Sequence, residues 1–184
     1  MNTSKREREE LIRSVNHCID SMTDEMYFLV TVTYDSFVTF NKRPFYVNYE
    51  DVYADNRVLK RMINHEFYRN PDKSSIQYLF FVEQHKYTQR LHTHLLLSLP
   101  NHEFVRDKYK SMFQFYPEVA YKQILERSIS RLKRLNRYDI KRTYDVRNLK
   151  SYCTKEIRNK SNTNCIDFQN STFTRFDDIR EQLH

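Results

Sequence analysis

Hydrophobic and polar residues are ordered along this chain in a way that predicts both strands and helices. Short apolar, β-branched and aromatic runs have the composition of strands. These strands are predicted at 27–34, 77–83, 91–99 and 138–144. Apolar residues at helical spacing behind capping residues predict helices. The helices are expected at 4–22, 55–68, 101–115, 117–135 and 146–158, and a last short one near Thr174 and Asp177.

Several details concern helix starts and the first connection. Asp55 is the expected N-cap of the helix at 55–68, and Asn101 and Asp145 are expected to cap later helices. Residues 35–50 are aromatic and polar and are predicted to form a long excursion. The inward residues of the helix at 55–68 are expected to be Val58, Met62, Ile63 and Phe67.

The connection at 84–90 is short, so the strands at 77–83 and 91–99 are predicted to be antiparallel neighbours. Strands and helices mix without strict alternation. This pattern favours an α+β fold over a doubly wound parallel sheet. The length suits a single domain over 1–184.

The chain has no glycine in 184 residues, where average usage would give roughly 13. Phosphate-binding loops of the Walker, dinucleotide and kinase types need glycine for a close backbone approach. We therefore expect no nucleotide cofactor. Tight turns are left to Asn, Asp, Ser and Pro.

Charge and aromatic content favour a nucleic-acid partner. The net charge is +7 and aromatic residues make up 15% of the chain, which suits a polyanion, although a solvated basic surface gives the same totals. Cys18, Cys153 and Cys165 follow no disulfide or zinc pattern. No membrane span or signal-peptide core is recognisable. We expect a soluble protein in the reducing cytoplasm, with no membrane partner.

Candidate metal ligands lie in and beside the strand at 91–99. His92 and His94 are two residues apart and should share one strand face, which suits a divalent metal. Two polar residues on a solvent-facing strand are the alternative. Glu83 ends the neighbouring strand and could complete a His-His-Glu site for Mg²⁺ or Mn²⁺. His85 is a weaker alternative ligand.

A candidate nucleophile lies in the helix at 146–158. Leu149, Cys153 and Ile157 share one face and are expected to pack inward, whereas Tyr152 and Lys155 are three residues apart on a neighbouring face. A tyrosine can attack phosphorus and hold a covalent phosphotyrosine. A structural tyrosine is the alternative in a chain with 14 of them.

Basic residues are concentrated just before this helix. Residues 122–147 hold nine Lys and Arg against three acids, a net charge of +6. Such a segment could hold a DNA backbone near the tyrosine, and a solvated helix face is the alternative. The residues chosen as DNA-binding candidates are Arg131, Lys133, Arg134, Arg137, Lys141, Arg142 and Arg147.

The order of these segments resembles the HUH endonucleases, the rolling-circle replication initiators of small plasmids and single-stranded DNA viruses. Residues 28–34 are similar to the family's first motif. His92-Thr93-His94 resembles the second motif, with Thr93 in place of the usual hydrophobic residue, and Tyr152-Cys153-Thr154-Lys155 resembles the third, Tyr-x-x-Lys. YCTKE is also similar to the third motif of circovirus-type initiators.

The resemblance covers about residues 27–158 and implies a core there, with 1–26 and 159–184 peripheral. It implies the ferredoxin- or RRM-like HUH fold, in which about five antiparallel strands form a sheet flanked by helices. It also implies that His92, His94 and Glu83 bind Mn²⁺ or Mg²⁺. Tyr152 would be the single nucleophile and Lys155 would assist at the phosphate.

The implied reaction is a nick in single-stranded DNA at a replication origin, with a stem-loop as the expected site. Tyr152 would become linked to the 5′ phosphate and free a 3′-OH, and the reverse reaction would rejoin the strands. A host helicase and polymerase are the expected partners. A transposase or relaxase relative, a water-using metal nuclease and a non-catalytic single-stranded nucleic-acid-binding module are the alternatives.

Overall fold

The computed structural model describes residues 5–21, 27–68, 76–98, 105–143, 146–160, 165–167 and 169–171. The helices are α1 (Lys5–Ser21), α2 (Tyr49–Phe67), α3 (Asp107–Phe115), α4 (Pro117–Ile129) and α5 (Val146–Lys160). The strands are β1 (Tyr27–Tyr34), β2 (Phe37–Phe40), β3 (Arg43–Tyr46), β4 (Tyr78–Gln84), β5 (Leu91–Ser98) and β6 (Leu135–Thr143). None of these helices is long and apolar enough to cross a membrane.

The main sheet is antiparallel, with the strand order β4-β5-β1-β6. This confirms the α+β class, with the sheet flanked by helices. Among the described residues the main sheet has four strands, against about five expected. Strands β2 and β3 form a separate two-stranded hairpin. Ile166 adds a single antiparallel bridge to Phe81 in β4.

Each face of the sheet packs against its own set of helices, because side chains alternate between the faces along a strand. One face packs with α2, α3 and α4 around buried residues such as Val30, Leu95 and Ile124. On the other face, Leu96 and Phe81 pack with residues of α1 and α5. Burial of apolar surface on both faces stabilises the sheet.

Helix α2 begins six residues before its expected start, so the prediction of Asp55 as N-cap is wrong. The N-cap is Asn48, whose side chain accepts from the Asp51 amide at 3.0 Å, while Asp51 accepts from the Asn48 amide at 3.1 Å. This reciprocal pair is a capping box. Asp55 is buried inside the helix, and Val58, expected inward, is exposed.

Other boundaries also differ from the prediction. The excursion at 35–50 contains the β2–β3 hairpin and the start of α2. Helix α4 ends at Ile129 because 135–143 pairs with β1 as a sheet strand. Helix α3 begins only at Asp107, after the non-helical residues 105–106. The residues Asn101, Asp145, Thr174 and Asp177 lie outside the described residues.

Candidate functional site

His92 and His94 project from the same face of β5, as predicted. Their rings are parallel within 6° and their centroids are 6.4 Å apart. Both are buried, at 7% and 5% exposure. They lie beyond Leu96, which packs with α1 and α5 on the same face. The pair is therefore not the solvent-facing pair that the alternative interpretation required.

Two threonines of β1 hold these histidines. Thr33 pairs with His92 and Thr31 with His94 in the antiparallel register. The Oγ1 atom of Thr33 lies 2.9 Å from His92 Nδ1, and that of Thr31 lies 3.0 Å from His94 Nδ1. Sequence reasoning missed both threonines. The available signal was their two-residue spacing in β1, which matches the spacing of the histidines.

Glu83 lies in β4 opposite His92, but its hydrogen bonds go elsewhere. Its Oε1 lies 2.9 Å from His94 Nε2, and its Oε2 accepts from Lys155 Nζ at 2.8 Å. Burial would raise the pKa of Glu83, but the hydrogen bonds and positive charges of His94 and Lys155 lower it to about 2. The carboxylate is therefore ionised at neutral pH and His94 donates to it.

Lys155 of α5 contacts the sheet at Glu83. Leu149, Cys153 and Ile157 are buried on the inward face of the helix, as predicted. Tyr152 lies in the same helix, three residues before Lys155. Its side chain lies outside the described part of the structure.

His92 has the chemical state of a metal ligand. Burial, followed by the charges of neighbouring groups such as His94, lowers its pKa to about 4, so the ring is neutral at pH 7. Its Nε2 atom is buried and has no hydrogen-bond partner. A proton on Nδ1, donated to Thr33, would leave the Nε2 lone pair available. This is how a second hydrogen bond usually fixes a ligating histidine.

The donor set of His92, His94 and Glu83 fits Mn²⁺ or Mg²⁺ in chemistry, since both ions accept oxygen ligands and Mn²⁺ also accepts imidazole. His94 Nε2 and Glu83 Oε1 are joined by a hydrogen bond of 2.9 Å. As the described side chains lie, no three His, Cys, Asp or Glu residues are grouped to hold a metal. Binding would replace the proton between His94 and Glu83.

His85 is a poor candidate ligand. Its Nδ1 accepts from the backbone amides of Tyr87 at 3.3 Å and Thr88 at 3.2 Å, so a neutral ring carries its proton on Nε2. The ring centroid lies 5.7 Å from that of His92. His85 thus presents a donor, not a lone pair, towards a ligand.

Comparisons with protein-family models, curated proteins and solved structures gave no match. The chemistry of this site therefore rests on its own side chains. The described residues bring together Glu83, His92, His94 and Lys155, from β4, β5 and α5.

The basic residues proposed to bind DNA lie in different parts of the structure. Arg137 pairs with Thr33 and Lys141 with Leu29, so both lie on the histidine face of β6, where they are exposed. Lys141 also forms an ion pair with Asp139 at 2.7 Å. Arg134 instead bonds Asp55 at 2.6 Å and Asp51 at 3.1 Å.

The remaining basic candidates lie in different surroundings. Arg142 contacts Glu118, and Arg131 lies 4.0 Å from Glu66. Lys133 is exposed. The side chain of Arg147 lies outside the described residues.

Proposed function

We propose that the protein is a metal-dependent DNA endonuclease and strand transferase of the HUH single-tyrosine type. It would nick single-stranded DNA at a replication origin. The observation that carries the proposal is the convergence of His92, His94, Glu83 and Lys155 at one end of one sheet face. Tyr152 lies one helical turn before Lys155. A binding module has no need of the buried, unpartnered Nε2 of His92.

The arrangement of elements supports the finer fold proposal as well. The HUH fold carries its histidines on a central strand and its tyrosine on a facing helix. Here the histidines are on β5, which has a neighbour on each side, and α5 packs on the histidine face. The bridge from Ile166 supplies a further backbone neighbour at the β4 edge.

In the proposed reaction, the phenolate oxygen of Tyr152 attacks a backbone phosphorus. The bond from phosphorus to the 3′ oxygen breaks, that oxygen takes up a proton, and the 5′ phosphate stays joined to the tyrosine. The reverse reaction rejoins the strands without ATP. The free 3′-OH would serve a host polymerase after a host helicase has opened the duplex.

The other residues prepare the phosphate for this attack. His92, His94 and Glu83 would hold Mn²⁺ or Mg²⁺, which when bound supplies Lewis-acid polarisation of a phosphate oxygen. Lys155, fixed by Glu83 at 2.8 Å, keeps a positive charge beside the phosphate. A positive charge there favours the phenolate of a tyrosine whose ordinary pKa is about 10. Arg137 extends the positive charge along β6, whereas Lys141 is paired with Asp139 at 2.7 Å.

The test is a covalent adduct assay on a library of labelled single-stranded stem-loops with randomised loops, in Mn²⁺. The wild-type protein should form an adduct that survives denaturation. Tyr152→Phe should abolish the adduct. The matched control is Tyr138→Phe, because Tyr138 pairs with Val32 on the opposite face of the sheet and should leave adduct formation unchanged.

Three outcomes would overturn the proposal. Cleavage without an adduct, unchanged in Tyr152→Phe, would identify a nuclease that uses water. Binding of the library without cleavage would identify a binding module. An adduct that persists in Tyr152→Phe would assign the nucleophile to another residue. A transposase or relaxase relative would share the chemistry and differ in the sequence that it nicks.

A further inference from the structure

The β2–β3 hairpin, residues 37–46, exposes aromatic rings to solvent. Phe37 is 56% exposed, Phe45 54% and Tyr46 76%. Phe37 and Tyr46 pair directly in the register, so both rings stand on the same face of the hairpin. All four residues of β3 are exposed. Phe45 pairs with Val38 on the opposite face. Isolated exposed apolar residues are ordinary, but the adjacent rings of Phe37 and Tyr46 form a patch of the kind that marks a contact surface.

The charge of the hairpin identifies the class of partner. Lys42 lies in its turn and Arg43 begins β3, and residues 37–46 contain no acidic residue. A basic hairpin that exposes aromatic rings suits a ligand with flat, unpaired bases and a phosphate backbone. In a duplex the bases are stacked on one another inside the helix, so few base faces are available to stack on aromatic side chains. The chemistry therefore favours single-stranded nucleic acid.

The turn gives the hairpin a defined shape. Asn41 and Lys42 have φ angles of 50° and 62°, the left-handed pair of a type I′ turn. At the base of the hairpin, the Val47 amide donates to the Ser36 carbonyl at 3.1 Å. This geometry is usually left to glycine or asparagine, and a lysine there costs conformational energy. The rings are thus presented on a preformed support.

The hairpin starts at the end of the sheet that holds the candidate site. Phe37 follows Thr33, the partner of His92, by four residues. Between them, Asp35 accepts from Asn136 Nδ2 at 2.8 Å. Asn136 in turn accepts from Arg90 at 3.0 Å. These bonds tie the base of the hairpin to the start of β6 and to the loop that leads into the histidine strand.

We propose that Phe37 and Tyr46 form a base-stacking platform for the single-stranded DNA that flanks the reacting phosphate. The role beside that phosphate rests on the proposed function, but binding by the platform does not. Each ring would stack on one unpaired base, while Lys42 at the turn approaches the phosphate backbone. A second copy of this chain is the competing occupant.

The first experiment measures binding of a short fluorescein-labelled oligothymidylate by anisotropy, in a Tyr152→Phe background that blocks adduct formation. Phe37→Ala with Tyr46→Ala should weaken binding by about 30-fold or more, since two lost base stacks cost at least about 2 kcal/mol. A fully paired DNA hairpin of the same length should bind with equal affinity to the double alanine variant and to the protein that keeps both rings. The control is Phe115→Ala with Tyr116→Ala, which removes two equally exposed rings elsewhere and should leave affinity unchanged.

A second variant detects stacking directly and guards against misfolding. The chain contains no tryptophan, so Tyr46→Trp places a single reporter on the platform. Its fluorescence should be quenched by the oligothymidylate. Unchanged affinity in the double alanine variant, or an unquenched reporter, would overturn the proposal. A wild-type dimer that the double variant abolishes, with affinity unchanged, would assign the surface to a second copy.

The two proposals fail in distinguishable ways. If wild-type protein forms the covalent adduct while the double variant binds DNA normally, the platform is wrong and the endonuclease stands. If no adduct forms while the double variant loses affinity for single strands alone, the platform stands and the endonuclease is wrong.

Discussion

Thr33 in β1 holds the ring of His92 in β5, with 2.9 Å between the hydroxyl oxygen and Nδ1. Thr31 holds His94 in the same way at 3.0 Å. The two strands pair along their length, so the rings are fixed by the sheet rather than by a loop. In a metal site, a histidine that is fixed at Nδ1 directs its Nε2 atom towards the metal, which is the role proposed for His92.

Thr33→Val should reduce the affinity for Mn²⁺ by about 10- to 100-fold, the usual effect of losing the hydrogen-bond partner of a metal ligand. Valine has the shape of threonine and lacks the hydroxyl, so the fold should be kept. Isothermal titration calorimetry measures the affinity. Thr33→Ser, which keeps the hydroxyl, is the control. Equal affinity in the valine variant and the wild type would show that Thr33 does not orient His92.

The histidines should separate metal binding from DNA binding. His92→Ala with His94→Ala should abolish both Mn²⁺ binding and nicking while single-stranded DNA is still bound, because the basic and aromatic surfaces remain. His85→Ala should leave the Mn²⁺ affinity unchanged, since its Nδ1 is occupied by two backbone amides. Calorimetry and the adduct assay report the two properties. Normal nicking by the double variant would refute the metal assignment.

Asn56 connects the histidine strand to the C-terminal segment through buried hydrogen bonds. Its Oδ1 accepts from Thr93 at 3.0 Å, and its Nδ2 donates to Asp167 at 3.0 Å. Asn56→Ala removes the acceptor of the buried Thr93 and Tyr34 hydroxyls, while Asp167 keeps its bonds from Asn170. The free energy of unfolding should therefore fall by about 1–3 kcal/mol. Urea denaturation measures this loss. Arg57→Ala, an exposed neighbour, should change stability by less than about 0.5 kcal/mol.

Lys42 should be replaceable by glycine with a gain in stability. Its φ of 62° costs a residue with a Cβ about 1 kcal/mol relative to glycine. Lys42→Gly should therefore raise the melting temperature by about 2–4 °C, as expected for a chain of this size. Lys42→Ala is the control, because alanine has the same backbone penalty. An equal rise in both variants would point to the charge of Lys42 instead.

Ionisation of Glu66 in α2 should make the free energy of unfolding depend on pH. Burial would raise its pKa, but hydrogen bonds from Tyr109 at 3.0 Å and Lys108 at 3.3 Å, with the charge of Arg131, bring the pKa below its usual value. The ionised Glu66 carboxylate therefore stabilises the fold at pH values above its pKa in the unfolded chain, about 4.3. This stabilisation is lost as the pH falls through the pKa of Glu66 in the folded protein. Urea midpoints of Glu66→Gln should fall less between neutral and acid pH than those of wild type. Parallel curves would exclude this contribution.

Local patterns in the sequence determined several features of this protein. The two-residue spacing of His92 and His94 fixed their shared face, because side chains alternate in any strand. The spacing of Leu149, Cys153 and Ile157 fixed the inward face of α5 in the same way. Both regularities depend on backbone geometry within a few residues.

The tertiary structure decided which distant residues meet. The position of Glu83 at the end of the neighbouring strand predicted that it lies near the histidines. Its bonds to His94 and Lys155, however, depend on how β4, β5 and α5 pack. Arg134 similarly bonds Asp51 and Asp55 of α2, although its charge alone made it a DNA-binding candidate. Side-chain partners far apart in sequence are set by the packing of whole elements, and local periodicity carries no information about that packing.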